Sequence, residues 1–135
     1  MIQRQQSLWL LLSTISAVLS YVLPFYSGQL KDGKYFKLDA ENDFLLMIIT
    51  GISIILSLVA IFLYKDRKVQ LRLCFSGIAL SLLILIIYFV QLKKFETGSI
   101  SLSCLFVFAM IAGYIMSARG VWKDERLIKN LDRLR

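Results

Sequence analysis

Histidine is absent from this 135-residue chain, proline occurs once, cysteine twice, and charged residues make up only 19% of it. Enzymes that activate a serine or cysteine nucleophile commonly take histidine as the base, and histidine is a frequent metal ligand. Its absence therefore removes most catalytic triads and most metal sites together. The two cysteines, Cys74 and Cys104, form no C-x-x-C pair of the kind that four-helix thiol oxidases use. A Gly-rich phosphate loop, a P-loop lysine and a glycosidase-type carboxylate pair are missing too. The sequence offers no catalytic residue, no metal site and no cofactor site, and a non-enzymatic protein is expected.

Charge is missing most completely from four stretches: 8–30, 44–64, 73–92 and 97–118 contain no Asp, Glu, Lys or Arg. Each is close to the ~20 residues that a helix needs to cross a hydrocarbon core of ~30 Å. With 58% hydrophobic residues overall, the balance is too apolar for a surface facing water. Runs such as Leu82-Leu83-Ile84-Leu85-Ile86-Ile87 lack the alternation of a barrel strand, which leaves helices as the structure that satisfies every backbone polar group in lipid. Arg4, the apolar run from Leu8 and Val18-Leu19-Ser20 make a weak signal-peptide pattern. The apolar stretch continues through Leu23, however, so the first span reads as a retained membrane helix. Pro24 marks its exit, because proline ends or bends a helix.

An ion-coupled transporter normally keeps an ionisable group within the membrane. Small multidrug exporters of this size rely on a first-helix glutamate, where this chain has Ser13, Thr14, Ser16 and Ser20. Transport would have to use hydroxyls and backbone groups alone.

With four spans both termini share a side, and that side carries eleven basic residues against five on the other. The positive-inside rule makes the richer side cytoplasmic. The net charge of +7 is then an orientation signal and a means of contact with anionic lipid headgroups, and no nucleic-acid partner is implied. Trp9, Tyr64 and Trp122 fall at the expected inner interface, Tyr26 and Tyr88 at the outer one.

Between the first two spans, Asp32-Gly33 is flanked by Gln29-Leu30-Lys31 and Lys34-Tyr35-Phe36-Lys37-Leu38, which predicts a short extracytoplasmic β-hairpin with a two-residue turn. Asp39, Glu41, Asn42 and Asp43 then supply an N-cap and favourable charge for the second helix. The connections 65–70 and 93–98 are short enough to be tight turns, so consecutive helices are antiparallel neighbours.

Helices associate in lipid through small residues and a few hydrogen bonds. Ala109, Gly113 and Ser117 recur every four residues and make the fourth helix the expected least lipid-exposed one. Ser13 with Ala17, Ser16 with Ser20, Ser53 with Ser57 and Gly77 with Ser81 give the others comparable faces. The Ala109 stripe serves either packing within the chain or an interface with a second copy or a membrane-protein partner. Beyond Ala118, Leu127, Ile128, Leu131 and Leu134 share one helical face, with Lys129, Asn130, Asp132 and Arg133 opposite. Together with Trp122 and Arg126 they predict a basic amphipathic helix over 119–135 that lies on the inner leaflet or docks in a partner's groove.

The ends of the chain carry a resemblance. Met1-Ile2-Gln3-Arg4, Gln6-Ser7, Leu10 to Leu12 and Pro24-Phe25 resemble the opening of an uncharacterised four-helix inner-membrane family of Bacteroidota, catalogued as a domain of unknown function. Lys123-Asp124-Glu125 and Leu131-Asp132-Arg133-Leu134-Arg135 resemble its close. The resemblance implies a fold and a bacterial inner membrane, and carries over no activity and no site residue.

The expected architecture is an all-α membrane protein. It is a single-domain four-transmembrane-helix up-down bundle with helices at about 7–26, 44–64, 71–92 and 99–118, a short extracytoplasmic β-hairpin loop and a cytoplasmic amphipathic C-terminal helix. Both termini are expected in the cytoplasm. The expected role is an accessory or scaffold subunit of an inner-membrane complex, with a transporter, lipid-handling protein or unfamiliar membrane enzyme as the alternative.

Overall fold

The computed structural model describes residues 2–38 and 40–134; Met1, Asp39 and Arg135, named above, lie outside them. The described residues form α1 (Ile2–Val22), β1 (Tyr26–Leu30), β2 (Tyr35–Leu38), α2 (Phe44–Phe62), α3 (Arg67–Leu92), β3 (Phe95–Ile100) and α4 (Cys104–Arg133). Each helix packs on the next in sequence, and α1 against α4, the most extensive contact, closes the ring.

α1 contains neither Gly nor Pro and stops at Val22, ahead of Pro24 and earlier than the expected end near residue 26. The chain turns there because Phe25, just ahead of β1, is already tied to the sheet: its N–H donates to the Leu38 carbonyl at 2.7 Å. The Asp43 carboxylate caps α2 by accepting from the Leu45 N–H at 3.1 Å and also receives the Gln91 side-chain amide of α3. α2 and α3 are joined by the expected tight turn, fastened where the Gln70 amide donates to the Ala60 carbonyl at 3.1 Å.

Among the described residues, three helices, α2, α3 and α4, are long and apolar enough to cross a membrane. α1 is not among them because Gln6, Ser13, Thr14, Ser16 and Ser20 dilute its apolar content. All five are buried, while Leu8, Trp9, Leu11, Leu12, Ile15, Val18 and Val22 face outward. That polarity is inverted relative to a helix of a water-soluble bundle.

Two connections differ from expectation. The hairpin forms, but its loop has three residues rather than two: the Leu30 carbonyl accepts from the Gly33 N–H (2.8 Å), and the Leu30 N–H donates to Lys34 (2.9 Å). Gly33 takes φ +79°, while Asp32 keeps a negative φ. This is the turn-plus-glycine-bulge loop, in which one residue needs positive φ, rather than the dipeptide turn that needs two. The connection expected as a tight turn near 93–98 instead contains β3, which pairs antiparallel with β1 to make a three-stranded sheet ordered β2-β1-β3. Gly28 and Gly98 face each other there, and a Cβ on Gly28 would sit 2.2 Å from the Thr97 carbonyl oxygen, so the close approach of the strands requires glycine.

The fourth helix is displaced for the same reason. It begins at Cys104, because residues up to Ile100 are in β3, and runs unbroken to Arg133. The separate tail helix expected over 119–135 is therefore a continuation of the same rod. No proline interrupts it, and Val121 and Asp124 are still buried in the bundle, so the charge-free segment ends before the packed one does. At ~1.5 Å per residue α4 is about 45 Å long, some 15 Å more than a bilayer core.

The sheet covers one end of the bundle, the sheet end. Tyr88, expected at a membrane interface, is instead fully buried there, stacked on Phe25 with ring centroids 4.3 Å apart. Trp9, Tyr64 and Trp122, at the opposite or tail end, are exposed as an interfacial position requires.

Candidate functional site

The middle of the bundle is polar at its axis. Thr14 donates to the Leu10 carbonyl (2.9 Å) and lies 2.8 Å from the Ser57 hydroxyl, which in turn bonds to the Ile54 carbonyl. Across the bundle the Tyr114 hydroxyl donates to the Ser53 carbonyl at 2.9 Å and contacts the Ser53 hydroxyl at 3.2 Å; Ser13 donates to the Met110 carbonyl at 3.3 Å. These hydroxyls answer one another or nearby backbone, as buried polar groups must. Their hydrogen bonds run to other hydroxyls and to backbone carbonyls.

The predicted small-residue stripe lies within this packing. A Cβ on Gly113 would be 2.9 Å from the Trp9 carbonyl oxygen and 3.0 Å from Ser13 Cβ, so α1 rests directly on α4 at that point. Ser117 is buried 3.6 Å from the Cys74 sulfur of α3, while Ala109 is half-buried. Gly77 of α3 receives the Tyr114 ring, whose Cε1 would lie 2.4 Å from an added Cβ. The stripe thus joins α4 to α1 and α3 within one chain. Of the three apolar helices α4 is the most buried. Both cysteines are free, with Cys74 buried.

Below the hydroxyls, toward the tail end, the Gln6 amide donates to the Asp124 carboxylate at 2.5 Å. Asp124 is only 5% exposed, and its second oxygen has no hydrogen-bond partner among the described residues. Cys74 facing Ser117 and Gly77 facing Tyr114 define the antiparallel register of α3 on α4. That register brings Arg67, whose buried Nη1 has no partner among the described residues, level with Asp124. Sequence reasoning missed Gln6 and the inward position of Asp124. The signal was present: Gln6, Ser13 and Ser20 repeat every seven residues, and Asp124 stands seven beyond Ser117.

Two clefts open beside this pair. One, of about 420 Å³ between α1 and α4, is lined by Gln5, Gln6, Trp9, Met116, Arg119, Gly120, Trp122, Lys123 and Arg126. The other, of about 470 Å³, lies between the α2–α3 turn and the end of α4, where Lys65, Asp66, Arg67, Lys68 and Val69 meet Glu125, Ile128 and Lys129. Among the predicted tail residues, Arg126 lies over the Trp122 ring at 5.1 Å, and Lys129 pairs with Glu125 at 3.5 Å. Leu127, Ile128, Leu131, Arg133 and Leu134 are exposed, as are Asp32 and Gly33 at the far end of the molecule. Among the described residues, no three of His, Cys, Asp and Glu gather into a group able to hold a metal ion.

A family model described as Domain of unknown function (DUF4293) matches residues 2–134. The chain belongs to that family. The match extends through the sheet, the bundle and the extended end of α4, so the long fourth helix lies inside the family's span. No curated protein and no solved structure matches the chain.

Proposed function

We propose that this member of the family is a four-pass protein of a bacterial inner membrane, with the sheet on the outer side and both termini in the cytoplasm, serving as a non-enzymatic accessory or scaffold subunit of a membrane complex. The inverted polarity of α1 supports a fourth pass: outward residues from Leu8 to Val22 are apolar, and the hydroxyls that lower its hydropathy point to the bundle axis. The basic excess at the tail end supports the orientation.

The observation that carries the scaffold reading is the free end of α4. Beyond Asp124 the helix runs past the α2–α3 turn, which it borders as far as Lys129, and ends at Arg133, with Leu127, Ile128, Leu131 and Leu134 exposed. A surface-lying helix would need a break near residue 119 to turn parallel to the bilayer, and α4 has none. A rigid helix with an apolar stripe suits a groove in a cytoplasmic partner. The mutual bonding of the axial hydroxyls weighs against a transport path through the bundle.

The test is affinity purification of the tagged protein from its native membrane in mild detergent, with and without residues 127–135. A truncation at 119 would remove Val121 and Asp124 from the bundle and confuse docking with folding. A stoichiometric partner lost on removal of 127–135 supports the reading. A monomer or homo-oligomer in both preparations overturns it.

A further inference from the structure

We propose that the cleft between the tail-end halves of α1 and α4 binds one anionic glycerophospholipid, its phosphate against Arg119, Lys123 and Arg126 and an acyl chain along Leu8, Leu12 and Met116. The inference rests on the reading that α1 and α4 cross the membrane.

The headgroup part follows from how α4 distributes its charges. Arg119, Lys123 and Arg126 fall at spacings of four and three, on the stripe that borders α1, and all three line the cleft. Among the described residues, none that lines it is acidic. Asp124 is turned inward to Gln6, and Glu125 faces the other cleft, where Lys129 pairs with it. The charges that line the α1–α4 cleft are therefore of one sign, with the Asp124 carboxylate behind Gln6, whereas the second cleft mixes Lys65, Arg67 and Lys68 with Asp66 and Glu125. Trp122 carries the Arg126 guanidinium over its ring, which helps hold that cation toward the cleft.

Depth and continuity identify a lipid rather than a free phosphate. Arg119 and Lys123 lie fifteen and nineteen residues from the start of α4 at Cys104, about 22 and 28 Å along the helix, close to the far boundary of a core ~30 Å thick. A second groove, of about 530 Å³ and lined by Gln5, Leu8, Trp9, Leu12 and Met116, shares Gln5, Trp9 and Met116 with the basic cleft and leads from it toward the middle of the bundle. A phosphate site joined to an apolar channel along two lipid-facing helices has the shape of an amphiphile. A soluble anion would use only its upper half.

The purified full-length protein in mild nonionic detergent would be mixed with palmitoyl-oleoyl phosphatidylglycerol or the matching phosphatidylcholine, and bound lipid counted by native mass spectrometry. One phosphatidylglycerol should be retained, with a preference of at least about tenfold, given several-fold per cation near a charged headgroup. Replacing Arg119, Lys123 and Arg126 by Gln should abolish the preference. The same charge change at Lys65, Lys68 and Lys129 should leave it intact. Met116→Trp, which fills the apolar groove and leaves every cation in place, should also release the lipid. Glycerophosphoglycerol, the headgroup without chains, should not compete. Equal loss in both charge variants, no preference between the lipids, or full competition by the chainless headgroup would each overturn the proposal. Removal of residues 127–135 leaves every residue of the cleft in place, so this result and the partner test fail independently.

Discussion

Gly113 and Gly51 show how differently two helical glycines can behave in one bundle. Gly113 meets the α1 backbone, whereas an added Cβ on Gly51 would meet nothing within 4 Å. Gly113→Val should therefore force α1 and α4 apart and destabilise by about 1–3 kcal/mol, the usual range for overpacking. Gly51→Ala should be neutral or stabilising by up to about 1 kcal/mol, through helix propensity alone. Thermal unfolding followed by circular dichroism in detergent checks both, and equal effects would mean that the helices do not meet at Gly113. The Gln6–Asp124 bond supplies a second contrast at this scale. Gln6→Ala strips a buried carboxylate of its donor and should cost about 1.5–3 kcal/mol. Lys129→Gln, which breaks only the i,i+4 pair between the exposed Lys129 and the half-buried Glu125, should cost no more than about 0.5 kcal/mol.

Among the elements, α4 and the β1–β3 pairing distinguish this fold from a plain hairpin-linked bundle. Spin labels at Leu105 and Leu131, both exposed, should report a separation near 39 Å if the helix is straight along its length, by the rise of ~1.5 Å per residue. A markedly shorter distance would mean that the tail folds back or lies along the bilayer. In the sheet, Gly28→Val should prevent the approach of β1 to β3 and speed amide exchange across 26–30, while leaving exchange in α2 unchanged. The hairpin was legible in the sequence because Asp32-Gly33 is a local signal. β3 was not, since a strand of only six residues is recognised by its partner, and that partner, β1, lies about seventy residues earlier.

At the scale of the whole molecule, the proposed topology predicts that a membrane-impermeant maleimide labels Lys34→Cys in intact cells and labels Lys129→Cys only after permeabilisation. Both positions are exposed, so accessibility within the protein does not confuse the comparison. The opposite pattern would invert the assignment of the basic side and remove the basis for a cytoplasmic partner of α4.

The sequence by itself determined the elements whose signals are local: the charge-free runs of α2, α3 and α4, the exit from α1 near Pro24, the Asp43 cap, and the tight turn between α2 and α3. Composition also showed the missing histidine and the basic excess at one end. Only the tertiary structure decided that Gln6, Ser13, Thr14, Ser16 and Ser20 of α1 face inward, that Tyr88 stacks beneath Phe25, that α4 stays packed through Asp124, and that Arg119, Lys123 and Arg126 border an apolar groove. The physical reason is one of range. Helix formation and apolar length are properties of neighbouring residues, whereas a face acquires its meaning only when another helix lies against it. A serine in α1 reads as a weakness of a membrane span until Ser57, Tyr114 and the α4 backbone give this bundle its axial hydrogen bonds.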